Sequence, residues 1–141
     1  MIEENRAQIS LEYLLIFTIS LIIIIVFTLP LAQQSIEDTM DVYDVLCAKS
    51  ELSKISQAIK TVYGQGQGSK QTIHLHISKP TQIRIDNDGI YSNVKLSDNS
   101  DKRIWEYVTS NIERTSISLD DGENIITVEW PSECESMQIY K

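Results

Sequence analysis

From Tyr13 to Ala32 the chain runs for 20 residues without a charged side chain. At about 1.5 Å per residue, a helix of that length spans about 30 Å, the thickness of a bilayer's hydrocarbon core. A core helix apolar on every side would need protein all round it, and the 109 residues that follow are too few to supply that cover. Membrane insertion is therefore expected. Removal of the run as a secretory signal, with the mature chain starting at Gln33, is the competing reading. Against it, Pro30 stands where a small residue is wanted for cleavage after Ala32, and the preceding segment is not basic. Residues 1–12 hold Glu3, Glu4, Arg6 and Glu12, so charge asymmetry does not set the orientation.

Glu12 lies against this run with Leu11 before it and Tyr13 after it. A carboxylate there costs free energy unless a cation pairs with it or it is solvated at headgroup level. Read together, Gln8-Ile-Ser10-Leu-Glu12-Tyr-Leu-Leu-Ile16 resembles the processing motif of archaeal class III signal peptides, Gln-x-Ser-x-Glu before an apolar helix, found in type IV pilin-like proteins. The resemblance covers mainly residues 1–30. It implies cleavage between Ala7 and Gln8 by a class III prepilin peptidase, with the apolar run retained and Glu12 the fifth residue of the mature chain. It further implies Glu12 as an assembly residue, and Pro30 falls close to where pilin helices carry a proline. The leader departs from the pattern in its acidic Glu3 and Glu4, in Ala7 where Gly or a basic residue is common, and in Ile16 where Leu is usual.

Gln33 to Tyr63 lacks Gly and Pro and keeps helical apolar spacing, so one helix is expected from about Ser10 to Tyr63, bent near Pro30. Its outer part carries two apolar stripes. Ile36, Met40, Tyr43 and Cys47 share one face, and Ala48, Leu52, Ile55, Ile59 and Val62 share another, displaced by roughly 100°. Two stripes suggest two partners, neighbouring helices for the first and this chain's own head for the second. A slightly irregular core helix is the alternative. Glu37, Asp38, Asp41 and Asp44 are expected to form a solvated face, with no calcium-loop spacing among them.

The helix should end at Tyr63-Gly-Gln-Gly-Gln-Gly-Ser69, which holds three of the five glycines. Alternation then predicts strands at Thr72–Ser78, Thr81–Asp86, Ile90–Leu96, Arg103–Thr109, Thr115–Leu119, Asn124–Trp130 and Ser136–Tyr140. Asn87-Asp-Gly89 reads as one hairpin turn and Asp120-Asp-Gly-Glu123 as a second. The expected fold class is α+β: a long N-terminal membrane and stalk helix followed by a small antiparallel β-rich head, the layout of pilins. In residues, that is a leader at 1–7, an apolar transmembrane and polymerisation helix at 8–32, its amphipathic continuation at 33–63 and the head at 64–141.

Chemistry is sparse. Twelve Lys and Arg against 20 Asp and Glu leave a net charge of −8, which argues against a nucleic-acid partner. His74 and His76 project from one face of one strand, yet no third metal ligand is identifiable by spacing, and neither a metal nor a cofactor is expected. No nucleophile elbow or Asn-x-Ser/Thr sequon is present, and no enzymatic activity is expected. Cys47 and Cys134 would both lie outside the cytoplasm, so a disulfide between them is expected, two unpaired buried cysteines being the alternative. The functional expectation is a structural subunit of an archaeal type IV pilus-like surface filament, its partners being copies of itself, related pilins, the prepilin peptidase, the assembly machinery and, beforehand, membrane lipid. A monomeric membrane-anchored extracytoplasmic binding domain is the alternative, and a secreted protein the third reading.

Overall fold

The computed structural model describes residues 2–108 and 111–141, the side chains of residues 2–9 excepted. The element order is one helix, α1 (Ile2–Gln65), then seven strands: β1 (Lys70–Ile77), β2 (Thr81–Asp86), β3 (Gly89–Lys95), β4 (Asp101–Tyr107), β5 (Thr115–Leu119), β6 (Gly122–Glu129) and β7 (Gln138–Tyr140). One long N-terminal helix followed by antiparallel sheets is the α+β layout expected from the sequence. The expected end of the fourth strand at Thr109 falls outside the described residues. The chain divides into two compact units, Met1–Thr39 and Met40–Lys141.

In the first unit every described side chain is exposed. Pro30 lies inside the helix and withholds one N–H from the ladder. Thr18 returns its hydroxyl to the Leu14 carbonyl at 2.8 Å, so the helix satisfies this polar group from within.

In the second unit α1 packs on the core through the later of the two apolar stripes. Leu52, Ile55, Ile59 and Val62 are all at most 1% exposed, with Ala58 beside them. Positive-φ Gly66 (φ 87°) then ends the helix, its N–H reaching the Val62 carbonyl. Ser69 Oγ donates to the same carbonyl at 2.9 Å, and Tyr63 stacks on Trp130 with ring centroids 5.5 Å apart.

The strands form two sheets, β1-β6-β7 and β4-β3-β2-β5. The turn at Asn87-Asp88 joins β2 to β3 with Asp86 opposite Gly89, as its sequence predicts. A side chain on Gly89 would meet the Glu106 carbonyl at 2.5 Å, so only glycine fits.

The second predicted hairpin is corrected. β5 and β6 belong to different sheets: β5 pairs β2 and β6 pairs β1. Asp120-Asp121-Gly122 is therefore a corner and not a hairpin turn. Across it, β1 and β2 run as one long ribbon against β6 and β5, Ile77 facing Gly122 and Thr81 facing Leu119. Three residues, Ser78 to Pro80, face only Asp120 and Asp121 at the crossing. The extra residue and the N–H missing from Pro80 break the ladder and let the ribbon change sheets. The buried side chain of Asn124 holds the corner, donating to the carbonyls of Asp120 and Gly122 and accepting the Asp120 N–H.

Candidate processing and assembly site

The processing motif lies on the first turns of α1. Ala7 and Gln8 fall outside the residues whose side chains are described. Ser10 and Glu12 are exposed, and Leu11 and Tyr13 beside them are 66% and 69% exposed. Among the described residues no cation lies within ion-pair distance of Glu12. The helix that follows contains an 18-residue window of mean hydropathy 2.9, none of it buried by protein, long and apolar enough to cross a membrane. An isolated helix of this composition has no stable place in water, so lipid or other helices must supply its surroundings.

The two stripes separate as the spacing implies. The later stripe is the core face described above. Of the earlier one, Ile36, Met40 and Tyr43 are each about 60% exposed, as are Val42 and Leu46 outside it, whereas its last member, Cys47, is half-buried. Within the second unit, Tyr43 and Leu46 point away from Leu52 and Ile59 at 100° per residue, and Met40 lies about 110° from them. Beyond Cys47 that outer side turns polar, with Ser50, Ser53, Lys54 and Gln57.

Two members of the acidic cluster depart from the expectation of a solvated face. The Asp41 carboxylate accepts both the N–H and the hydroxyl of Ser97, at 2.9 and 2.8 Å. Asp44 pairs with Lys79, whose ammonium is held above its usual pKa chiefly by that hydrogen bond. The helix thus pins the turn after β3 and the ribbon crossing. Asp41, Asp44, Ala48 and Leu52 continue one helix face; Glu37 shares its angle but belongs to the first unit, and it and Asp38 are exposed.

The expected Cys47–Cys134 disulfide is also corrected, because both cysteines are free and half-buried. Cys47 lines a cavity of about 130 Å³ with Ala48, Leu52, Lys79 and Pro80. Cys134 sits at the other end of this helix segment, where its carbonyl accepts the Trp130 indole N–H and the Gln67 amide. From residue 47 to the helix end at Gln65 is about 27 Å at 1.5 Å per residue, far beyond disulfide reach. His74 and His76 are exposed on β1, opposite Ile125 and Glu123, and no group of three or more His, Cys, Asp or Glu suited to a metal occurs among the described residues.

Residues 5–31 match the family model described as Class III signal peptide. The match takes in Ala7, Gln8, Ser10, Glu12 and Pro30 and ends before the second unit begins. No curated protein matches the chain, and no solved structure matches it.

Proposed function

From a chain that carries a class III signal peptide, we propose a structural subunit of an archaeal type IV pilus-like filament, trimmed before Gln8 and assembled through its apolar helix. The carrying observation is the processing motif set directly before an apolar run, Tyr13 to Ala32, whose surface has no cover among the described residues. The helix would have two successive solvents, bilayer before assembly and neighbouring helices after it. The prepilin peptidase and the assembly machinery are the partners this route requires. The role is structural rather than catalytic, and the chain ends in a surface filament that serves adhesion.

Glu12 gains its cation by the cleavage itself. The new α-amino group on Gln8, with an unperturbed pKa of about 8, is charged at neutral pH and lies about one helical turn from Glu12, within reach of a neighbouring copy. Removing one member of such a pair inside an apolar assembly costs about 3 to 5 kcal/mol. Glu12→Gln should therefore cut filament yield while leaving membrane insertion and the second unit's fold intact.

Intact mass and N-terminal sequencing of protein from the native host test the reading. A start at Gln8 in sheared filaments is the expected result. Full-length chain confined to membranes would favour the anchored binding domain, and a start at Gln33 in the medium would favour the secreted form. Equal filament yield from Glu12→Gln at equal processing would remove Glu12 from assembly.

A further inference from the structure

The outward face of the β4-β3-β2-β5 sheet is built unlike the rest of the second unit. Tyr91 on β3 stands opposite Trp105 on β4, their rings stacked with centroids 5.2 Å apart. Tyr107 meets Trp105 edge to face at 6.1 Å and is 74% exposed. Arg103 lies over the Tyr91 ring at 5.0 Å, and Arg84 is the cross-strand neighbour of Tyr91 on its other side. Three of the chain's four arginines lie on or beside this face, although the chain is acidic. Arg114 is paired with Asp86, but among the described residues Arg84 and Arg103 meet no carboxylate.

Stacking of Tyr91 on Trp105 is itself a cross-strand stabilising device. Arg103 also donates to Asn93 Oδ1 at 3.4 Å, but the stacking does not account for two guanidinium groups without a carboxylate partner among the described residues or for the exposed Tyr107. Aromatic residues and arginine concentrate at the centres of protein interfaces, and a locally basic patch selects an acidic partner.

The same chain presents the complement. On the outward face of the β1-β6-β7 sheet, Ile125 is 51% exposed. Glu123 stands two residues before it, with Asp121 at the adjoining corner, and neither carboxylate is in an ion pair among the described residues. An exposed apolar side chain beside two unpaired carboxylates matches a face of aromatic rings beside two guanidinium groups without a carboxylate partner.

We propose that the Tyr91–Trp105–Tyr107 face, flanked by Arg84 and Arg103, docks on the Ile125–Glu123 face of a second copy of this chain. Because the two faces differ, the contact is heterologous: it builds a ring where its rotation closes and an open filament where it does not, and only the second serves a filament. The choice of partner rests on the filament reading. The packing of the apolar helices does not by itself imply the contact.

The test places a photoreactive benzophenone at Tyr107 (Tyr107→p-benzoyl-phenylalanine) in the full chain, co-expressed in the native host with isotope-labelled unmodified chain. Membranes and sheared filaments are irradiated separately, and cross-linked peptides are identified by mass spectrometry. The expected product joins the label at Tyr107 to the Asp121–Ile125 segment of a labelled copy. Its yield should fall about tenfold or more in Arg84→Glu/Arg103→Glu at matched abundance, and recover when Glu123→Arg and Asp121→Arg are added to the labelled copy. Cross-links to lipid, glycan or an unrelated protein, or to other segments of the chain, would overturn the proposal. So would an undiminished yield in the charge-reversed variant. Filaments that form without this cross-link would sink the docking and spare the filament reading. The cross-link in membranes of cells that make no filament would do the reverse, and absence of both would remove both.

Discussion

Ile59→Ala and Leu46→Ala alter the same helix on opposite sides, and the structure assigns them opposite consequences. Ile59 is wholly buried, whereas Leu46 is 59% exposed. Truncating a buried isoleucine to alanine costs about 2 to 5 kcal/mol, and about 3 kcal/mol is a fair centre for a position with no contact to solvent. For a unit of this size, each kcal/mol lowers Tm by about 4–8 °C, so Ile59→Ala should melt about 12–24 °C below the parent. Leu46→Ala should fall within about 0.5 kcal/mol of it, a few degrees at most. The assay is thermal unfolding of the full chain in detergent, followed by tryptophan fluorescence. Trp105 and Trp130 both lie in the second unit, so the signal is blind to the apolar helix. In the native host the order should invert, with Leu46→Ala lowering filament yield at unchanged Tm. Equal Tm losses from the two variants, or a larger one from Leu46→Ala, would refute the division of the helix into a core face and an outward face.

Three further outcomes are expected. Gly122 has φ 95°, a region that L-residues enter at about 1–2 kcal/mol, and nothing crowds its Cβ position; Gly122→Ala should therefore lower Tm by several degrees, and an unchanged Tm would mean that the corner adapts. The hydroxyl and N–H of Ser100 hold the Asp98 carboxyl below its usual pKa, so its contribution is complete above the unfolded value and is lost as pH falls through the lower folded one. An NMR pH titration should place its midpoint below that of Asp98 in Ser100→Ala, and coincident midpoints would count against the assignment. Thiol titration of denatured native protein should find two free thiols per chain, and fewer would restore the disulfide.

How far the sequence could be read depended on the range of each signal. The apolar run, the two helical stripes and the alternation of seven strands are local patterns, and most of each appears where the spacing put it, although the helix starts eight residues earlier than expected, at Ile2, and ends two later, at Gln65. The β5–β6 connection was misjudged because Asp-Asp-Gly serves a hairpin and a corner equally well. What separates them is the ladder partner, a distant strand that no local pattern names. The cysteine pairing failed for the opposite reason. The length of the helix after Cys47 was already legible and, taken seriously, puts the two thiols out of reach. Asp41 and Asp44 were grouped with Glu37 and Asp38 by charge; Glu37 even shares their helix angle, and what separates them is that the second unit's contacts begin only after Thr39.

The ribbon that crosses between sheets also orders the events of folding. β2, β3 and β4 are joined by short turns and pair in sequence order, so this meander can zip from Asp86 and Gly89 on the timescale of hairpins, about 1–10 μs. The β1-β6-β7 sheet cannot begin that way, because Lys70 must wait for Glu129 and Ile77 for Gly122. Loop closure over that separation slows nucleation. A chain emerging N-terminus first therefore exposes β1 unpaired until β6 arrives. During that interval the alternating Ile73, Leu75 and Ile77 are an open edge, and the charged and polar residues between and beside them, His74, His76 and Lys79, are what discourages a second unfolded chain from pairing there.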